Sequence, residues 1–371
     1  MTAQHQDQNG SHETHEQTSD DADAFPDDAF PDNAFPDNKE PAMLLSRVAD
    51  DVYWSGRYLE RTEATARMLR VHTELFLDLP KSAGVGWSPL LAITGSAESF
   101  REQYGETDTV APTEDAIVRF LTADPVNPAS IISSLRAART NFRVTRAVFP
   151  AASWEELNKL YHFVIESLSL AVDRRTRMAW LERVIRDCQV LRGVLGSTMS
   201  HDEAYSFLEI GRAIECADMT TRVLDVQAGV LLAEAKATVT PAYSDITWAS
   251  VLKSLSAHQM FRRTVRNGIS GPGALRFLLR DPQFPKSVEH SLTRISRALL
   301  ELPRYEHAMS GCAHVQQLLE NAAVGDLAST GLHDFVDDLQ IGIARLHDAL
   351  TSTYFVRSVP AGKPATLVAS A

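Results

Sequence analysis

Cysteine is scarce in this sequence: the chain of 371 residues has three, spread out as Cys188, Cys216 and Cys312. Their number is odd and no Cys-x-x-Cys pair occurs, which argues against a disulfide framework and against a cysteine-based zinc site. The pattern indicates reduced thiols, and we therefore expect a cytoplasmic protein.

Long apolar runs and catalytic signatures are also missing. No stretch of about 18 apolar residues without charges occurs, so we expect no membrane span. The N-terminus lacks a basic flank followed by an apolar run, which argues against a secretory signal. No Ser/His/Asp, Cys/His, P-loop or glycine-rich phosphate signature is present. We expect no cofactor, and the sequence favours a protein without its own reaction while leaving an enzyme open.

The net charge of −12 is concentrated at one end of the chain. Residues 1–42 hold eleven acids and one base, a charge of −10, so the rest of the chain carries only −2. A nearly neutral folded part has no field that would attract a polyanion, and we expect no nucleic-acid partner.

The acidic segment repeats a unit of the type Ala-Phe-Pro-Asp-Asp/Asn three times over residues 24–38. Regularly spaced prolines and repelling acids cannot bury enough surface to offset the entropy of ordering. We predict a disordered tail at 1–42, a helical domain at 43–356 with halves near 44–199 and 200–356, and a second disordered tail at 357–371. A short motif whose spaced phenylalanines dock on a partner is the alternative interpretation of the first tail.

The remaining pattern is helical and lacks strand signals, so the predicted fold class is all-α. Ser153 with Glu156 and Ser200 with Glu203 resemble capping boxes, and Pro128 and Pro285 suit the first turn of a helix. Gly271-Pro272-Gly273 is interpreted as a turn. Helices are predicted near 46–79, 88–104, 113–122, 128–149, 154–170, 174–199, 201–236, 246–267, 285–302, 307–323 and 331–355.

An internal repeat is the strongest signal in the chain. Gly56-Arg57-x-x-Glu60 recurs as Gly211-Arg212-x-x-Glu215 at an offset of 155. Further on, Asp124-Pro125-x-x-Pro128-x-Ser130 recurs as Asp281-Pro282-x-x-Pro285-x-Ser287 at an offset of 157. We expect a multi-helix bundle of two similar halves that pack about a pseudo-two-fold axis, with the two motif helices adjacent and a site at the seam between the halves.

Charged residues of the repeat fall on one helical stripe in each copy, and a third stripe of arginines follows at a spacing of 3, 4 and 3. These residues can form a structural network that fixes helix packing, or an anion site for a phosphate or carboxylate. The candidate binding residues are the charged residues of these stripes, the further acids Glu63 and Asp218, and one asparagine from a family motif named below. They are Arg57, Glu60, Arg61, Glu63, Arg67, Arg136, Arg139, Asn141, Arg143, Arg146, Arg212, Glu215, Asp218 and Arg222.

A metal site at the same acids is the weaker hypothesis. Glu60 with Glu63 and Glu215 with Asp218 resemble the carboxylate pairs of di-iron bundles, but no histidine follows them at the required spacing. Flanking arginines would also repel a cation, so we expect no metal.

Several motifs together resemble the bacterial alpha-E family, named for its helical character and its Glu-Arg motif. The resemblance runs from Leu44 to about Phe355, and one departure is Cys216, which stands where the second copy of the family pattern has arginine. The matching motifs are Tyr53-Trp54-x-Gly56-Arg57-Tyr58-x-Glu60-Arg61, Asn127-Pro128-x-Ser130, Ala138-Arg139-x-Asn141-x-Arg143, Trp154-x-x-Leu157-Asn158, Gly211-Arg212-x-x-Glu215 and Phe284-Pro285-x-Ser287.

The resemblance implies association more than chemistry. Alpha-E proteins typically occur beside, or fused to, circularly permuted ATP-grasp proteins, often with a transglutaminase-like peptidase nearby. The resemblance therefore implies a non-catalytic accessory or scaffold subunit of an amide (peptide) ligation system, with the Arg/Glu cluster as an anion or substrate site. The alternatives are an enzyme acting on a carboxylate- or phosphate-bearing intermediate at that cluster, and a purely structural interaction protein.

Overall fold

A computed structural model describes residues 44–78, 86–105, 113–235, 241–266, 268–328 and 330–355, and for residues 77–78, 227–235 and 241–244 it describes the backbone alone. Throughout these ranges the chain forms α-helices and no strand, which confirms the predicted all-α class. The predicted tails lie outside the described residues, and the domain boundaries stay a prediction. Among the described helices, none combines the length and the apolarity that crossing a membrane would require.

The helices follow one another with short connections. In chain order they are α1 (Ser46–Asp78), α2 (Ser88–Ile93), α3 (Ala97–Tyr104), α4 (Glu114–Thr122), α5 (Ile131–Val144), α6 (Ala151–Glu166), α7 (Leu168–Val172), α8 (Arg177–Thr198), α9 (Glu203–Ala235), α10 (Pro241–Ser254), α11 (His258–Thr264), α12 (Gly271–Arg280), α13 (Val288–Leu300), α14 (Glu306–Asn321), α15 (Val324–Leu327) and α16 (Leu332–Leu350), which a π-helical turn at Thr351–Phe355 extends.

Helices α5 and α13 begin directly after equivalent serines, at Ile131 and Val288, three residues later than the prolines suggested. The hydroxyl oxygens of Ser130 and Ser287 accept hydrogen bonds from the backbone N–H groups of Ser133 and His290 and so cap the two helices. Each serine hydroxyl also donates to the carbonyl of the motif aspartate, Asp124 or Asp281. The repeated Asp-Pro-x-x-Pro-x-Ser motif is therefore a closed turn that ends in a serine cap.

Two predicted capping boxes are wrong. The hydroxyl of Ser153 lies inside α6 and donates to the carbonyl of Pro150. At α9 the acceptor for the first backbone N–H groups is Asp202, which bonds Ala204 and Tyr205. The cap position of α6 falls on Pro150, which has no side-chain oxygen, and at α9 Asp202 takes the place that the spacing assigned to Ser200.

Gly271-Pro272-Gly273 is also not a free turn. It is the first turn of α12, with Pro272 near the helix start, where its missing N–H costs nothing, and with Ser270 accepting from the Gly273 N–H. The predicted helices at 88–104 and 246–267 are each broken in two. The breaks fall at Gly95 and Ser256, whose φ angles are 65° and 57°, in the left-handed region that ends a helix.

Helices α1 and α9 cross in close contact at two glycines. A Cβ atom added to Gly56 would lie closer than 3.0 Å to the carbonyl oxygen of Leu208, and one added to Gly211 would overlap the carbonyl oxygen of Tyr53 in the same way. Leu208 and Tyr53 are themselves 155 residues apart, so the two contacts exchange under the repeat. This reciprocity is the pseudo-two-fold relation that the sequence predicts.

The surrounding helices repeat the relation. Helix α1 packs against α5 and α8, whereas α9 packs against α13 and α16. Helix α6 lies against α5 and α8, as α14 lies against α13 and α16. Each half is therefore a four-helix unit closed over a shared apolar core, and the long motif helices form the seam.

Substitution of either seam glycine by alanine should destabilise the fold. We expect Gly56→Ala or Gly211→Ala to lower the free energy of unfolding by at least ~2 kcal/mol, because the new methyl group meets backbone that cannot rotate away. Urea denaturation followed by circular dichroism measures the change. Gly193→Ala is the matched control, because Gly193 lies inside α8 and no atom is near the added methyl group. This substitution should raise the free energy of unfolding by roughly 0.5–1 kcal/mol. Equal effects at all three glycines would contradict the close crossing.

Candidate functional site

Glu215, on α9, is held by two arginines of α1. Arg57 Nε lies 2.8 Å from Glu215 Oε2, and Arg61 donates through Nε at 2.6 Å to Oε1 and through a terminal nitrogen at 3.0 Å to Oε2. The glutamate side chain is 1% exposed. Burial alone would raise the pKa of Glu215, but the two guanidinium groups outweigh it and hold the pKa below its ordinary value.

The aromatic side of the cluster surrounds Arg57. Its guanidinium carbon lies 5.0 Å from the ring centre of Trp54. A terminal nitrogen of Arg57 lies 3.5 Å from the Tyr53 hydroxyl, which is hydrogen-bonded to His347 at 2.8 Å. Burial raises the pKa of Tyr53 to about 12, so this phenol stays neutral. Aromatic faces and a carboxylate together desolvate Arg57 without leaving its charge unpaired.

Glu60, the repeat counterpart of Glu215, has different partners. Its Oε1 accepts from Lys286 Nζ at 2.7 Å, and its Oε2 accepts from Arg192 at 2.6 Å. Arg192 also lies 2.7 Å from Glu63 Oε2, and Arg67 donates to Glu63 Oε1 at 2.6 Å. Burial disfavours charge on both glutamates, but the surrounding cations outweigh it and lower both pKa values.

The structure explains how the chain tolerates Cys216. On the Glu215 side the cation comes from α1 as Arg61, and the loop residue opposite is the small Ala129. On the Glu60 side, the repeat counterpart of Arg61 is Cys216 and the counterpart of Ala129 is Lys286. A basic and a small residue have thus exchanged places between helix and loop, so each glutamate keeps a cation.

A pair of i, i+4 contacts completes the pseudo-symmetry. Arg67 pairs with Glu63 on α1, and Arg222 Nε pairs with Asp218 Oδ2 at 3.0 Å on α9. Glu63 is bound by a second cation, Arg192, whereas among the described residues Asp218 forms an ion pair with Arg222 alone. Burial raises the pKa of Asp218, and nearby Glu215 adds to the increase.

Sequence reasoning identified α1 and α9 but missed the cations that other elements supply. Arg192 comes from α8 and Lys286 from the turn before α13. Arg212, which was expected at the seam, pairs instead with Glu209, and that glutamate also binds Arg294 of α13. The repeat pairs Arg61 with Cys216 and Ala129 with Lys286, and this exchange could have indicated Lys286 as a partner of Glu60. The sequence contains no comparable signal for Arg192.

The arginine stripe of α5 does not join the cluster. Arg136, Arg143 and Arg146 are exposed, and none of them forms an ion pair with the cluster's carboxylates. Arg139 donates to Asn158 at 2.7 Å and lies 4.9 Å from the ring centre of Tyr161. Asn141 donates its amide to the carbonyl of Asp51 and so ties α5 to α1. Arg146 lies beyond the end of α5, and Arg139 is half-buried whereas Arg136 and Arg143 are exposed. Helical spacing could indicate neither where the helix ends nor which of its faces the bundle covers.

Two cavities of unequal size flank the cluster at equivalent positions. The cavity beside Glu60 has a volume of about 10 Å³ and contains Lys286 in its wall. The cavity beside Glu215 has a volume of about 260 Å³ and is lined by Arg61, Thr65, Ile93, Thr94, Gly95, Pro128, Ala129, Glu215, Asp218, Met219 and Arg222. Ala129 leaves open the space that Lys286 fills on the other side. Because cations flank every acid here, the larger cavity suits an anion better than a metal ion.

One surface group has ligand atoms within 4.8 Å of one another: Asp225, His333 and Asp337. His333 Nδ1 lies 2.6 Å from Asp225 Oδ1, and the carboxylates raise the pKa of the histidine. Exposed groups of this kind are common without a metal, and the existing ion pair accounts for the arrangement.

Comparison with known proteins gives one family and a few relatives. The model of the Alpha-E family, described as a predicted alpha-helical domain with a conserved ER motif, matches residues 44–355. The uncharacterized proteins Mb2597 of Mycobacterium bovis and Rv2567 of Mycobacterium tuberculosis are each 25% identical to this chain over 279 residues. The alignment covers 69% of this chain and 30% of each relative, so the matched part is less than a third of the relatives' length. No solved structure matches the chain.

Neutralising Glu215 should destabilise the fold strongly. We expect Glu215→Gln to cost about 3–5 kcal/mol of unfolding free energy, because two desolvated guanidinium groups would lose their counter-charge. Urea denaturation at neutral pH measures it. The control is Asp187→Asn, whose partner Arg183 is 44% exposed, and it should cost roughly 0–1 kcal/mol. A loss at Glu215 no larger than that of the control would contradict a desolvated pair.

The paired glutamates also predict an acid-sensitive stability. The pKa values of Glu60, Glu63 and Glu215 are lower in the folded chain than the roughly 4.3 of an unfolded glutamate. Their stabilisation is therefore complete above about pH 4.3 and is lost as the pH falls through the folded-state values. We expect unfolding free energies from urea denaturation to fall steeply below about pH 4. The fall should be shallower in Glu215→Gln, and parallel profiles for the two proteins would be inconsistent with this linkage.

Proposed function

The chain belongs to the Alpha-E family, and from that premise we propose that it is a non-catalytic accessory or scaffold subunit of an ATP-grasp-type amide (peptide) ligation system. Its main partner in this proposal is a circularly permuted ATP-grasp protein, with a transglutaminase-like peptidase as a second partner. Its Arg/Glu cluster serves as an anion or substrate site. The resemblance described above supports both partners.

The observation that carries the proposal is the complete pairing of the buried glutamates. Glu60, Glu63 and Glu215 each accept from at least two cationic groups, and their lowered pKa values keep them ionised at neutral pH. A carboxylate held in this way is a poor proton donor and a weak base. Such a network fixes the geometry of a binding surface and offers little chemistry of its own.

The length of the relatives supports a role beside another protein. The matched part makes up 30% of each mycobacterial relative, so most of the length of those proteins lies outside the part that resembles this chain. A domain that occurs within a longer chain has a covalent neighbour on which it can act.

The chemistry of ATP-grasp ligation fits a cationic accessory site. These ligases join a carboxylate to an amine through an acyl phosphate, so both the substrate and the intermediate carry negative charge. Guanidinium groups in a partly desolvated cluster are well suited to bind either group. The three buried free thiols favour the cytoplasm, where such ligases have ATP.

A second candidate function rests on Asp218. Its raised pKa distinguishes it from the other buried acids, and it borders the larger cavity. A carboxyl group whose pKa is raised by burial and by a neighbouring carboxylate is suited to general acid–base catalysis. The alternative is therefore an enzyme that acts on a carboxylate- or phosphate-bearing intermediate at this position.

Reconstitution tests the proposal. A circularly permuted ATP-grasp protein from the same organism is assayed for ADP release with carboxylate and amine donors, with and without this chain. We expect a stable complex on gel filtration and at least a tenfold stimulation, because the accessory subunit would supply binding that the ligase lacks. A helical protein of similar size and charge is the control.

Two results would overturn the proposal. A ligase that forms no complex with the chain and is fully active alone would remove the accessory role. Turnover of an acyl phosphate and an amine by this chain without the ligase would favour the enzyme.

A further inference from the structure

We propose that the cavity beside Glu215 binds the carboxylate group of a small ligand, with Arg222 as the charge partner and Thr65 as a hydrogen-bond donor. The inference deepens the proposed function, on which it rests only for the identity of the ligand as a ligase substrate. The binding itself is a property of this chain alone.

Arg222 presents unused donors to the cavity. Its Nε donates to Asp218 at 3.0 Å, and its side chain is 34% exposed. No hydrogen bond within the described residues engages its two terminal nitrogens. One of them lies 3.3 Å from the position where a Cβ would stand on Gly95, a residue with a φ angle of 65°. A side chain at position 95 would crowd this nitrogen, so glycine keeps the terminal nitrogens of Arg222 accessible beside the cavity.

Thr65 is the independent sign of a missing partner. Thr65 lines the cavity, the residue is 1% exposed, and its Oγ1 has no hydrogen-bond partner within the described residues. The counterpart in the other copy, Thr220, donates at 2.9 Å to the carbonyl of Lys286. A buried hydroxyl without a partner is costly, and a ligand oxygen that accepts from it would recover that cost.

The charges favour a carboxylate over other ligands. Arg57, Arg61 and Arg222 face two acids, Glu215 and Asp218, so this side carries one excess positive charge. A monoanion neutralises it, whereas a phosphate dianion would be repelled by the acids. A cation is disfavoured because both oxygens of Glu215 are already occupied.

Only one of the two copies keeps this space. The lysine at position 286 closes the equivalent cavity to about 10 Å³ and binds Glu60. At position 129 the side chain is a methyl group, and about 260 Å³ remains, enough for a small carboxylic acid. The duplication thus allows a direct comparison of the two sides. On the Glu60 side a lysine from the loop fills the space and binds the glutamate, whereas on the Glu215 side the space stays open for a ligand.

The test uses the full chain without a ligase and three probes: N-acetylglycine, its uncharged N-methylamide, and inorganic phosphate. Ligand-observed NMR titrations give the dissociation constants. We expect N-acetylglycine to bind with a millimolar dissociation constant, and the N-methylamide and phosphate to bind at least tenfold more weakly. Equal binding of the charged and uncharged probes, or tighter binding of phosphate, would overturn the proposal.

Variants locate the site. Ala129→Lys should reproduce the closed copy and weaken N-acetylglycine binding at least tenfold, whereas Ala129→Ser, which keeps the space, should stay within twofold. Arg222→Gln, a change at a side chain that is one-third exposed, should also weaken binding tenfold, and it decides the question if Ala129→Lys fails to fold. Unchanged binding in Arg222→Gln would overturn the proposal. Absent binding with intact stimulation of the ligase would defeat this inference alone, and binding without stimulation would defeat the proposed function alone.

Discussion

The close crossing of α1 and α9 at Gly56 and Gly211 is the constraint on which the rest of the structure depends. Because neither glycine carries a Cβ, the two backbones approach until each helix contacts a carbonyl of the other. Arg57, the residue after the first glycine, then reaches Glu215 across the seam at 2.8 Å. A wider crossing would leave the guanidinium group and the carboxylate desolvated and apart, which is costly for both. The ion pair between Arg57 and Glu215 therefore depends on the close helix crossing that the two glycines allow.

Within this constraint the two copies have diverged in a compensated way. Each motif glutamate needs a cation once it is buried, but the cation can come from the facing helix or from the turn that precedes the next one. Arg61 fulfils the requirement for Glu215, and Lys286 with Arg192 fulfils it for Glu60. The family's Glu-Arg dipeptide thus serves both sides of the seam, because Glu60 faces one set of cations and Arg61 binds the glutamate opposite. Cys216 lies in the copy where the cation comes from the loop residue Lys286 and not from the helix.

Much of this arrangement could be predicted from the sequence because the repeat carries tertiary information. Equivalent glycines and charges on two long helices indicated that those helices meet, and the pairing of Arg57 with Glu215 follows. Arg192 could not be predicted, since its place depends on how α8 packs against α1. The stripe at Arg136 failed for a related reason: periodicity shows that residues share a face, but not what covers it. Helix α12 was missed because glycine and proline at its start resemble a turn until Ser270 is seen to cap it.

A buried network of this size needs a reason beyond stability, because well-packed apolar residues often stabilise a seam as well as ion pairs do. One reason is registry: charges that fit only one alignment fix how the two halves meet. Registry alone, however, would be served by two closed sides, and the Glu60 side shows that this chain can build one. The Glu215 side keeps the same fixed frame around an open volume with an unpartnered hydroxyl. The walls of this cavity are already held by ion pairs, so few side chains have to be ordered when a ligand binds. This preorganisation lowers the entropic cost of binding and allows a small site to bind a weakly interacting anion.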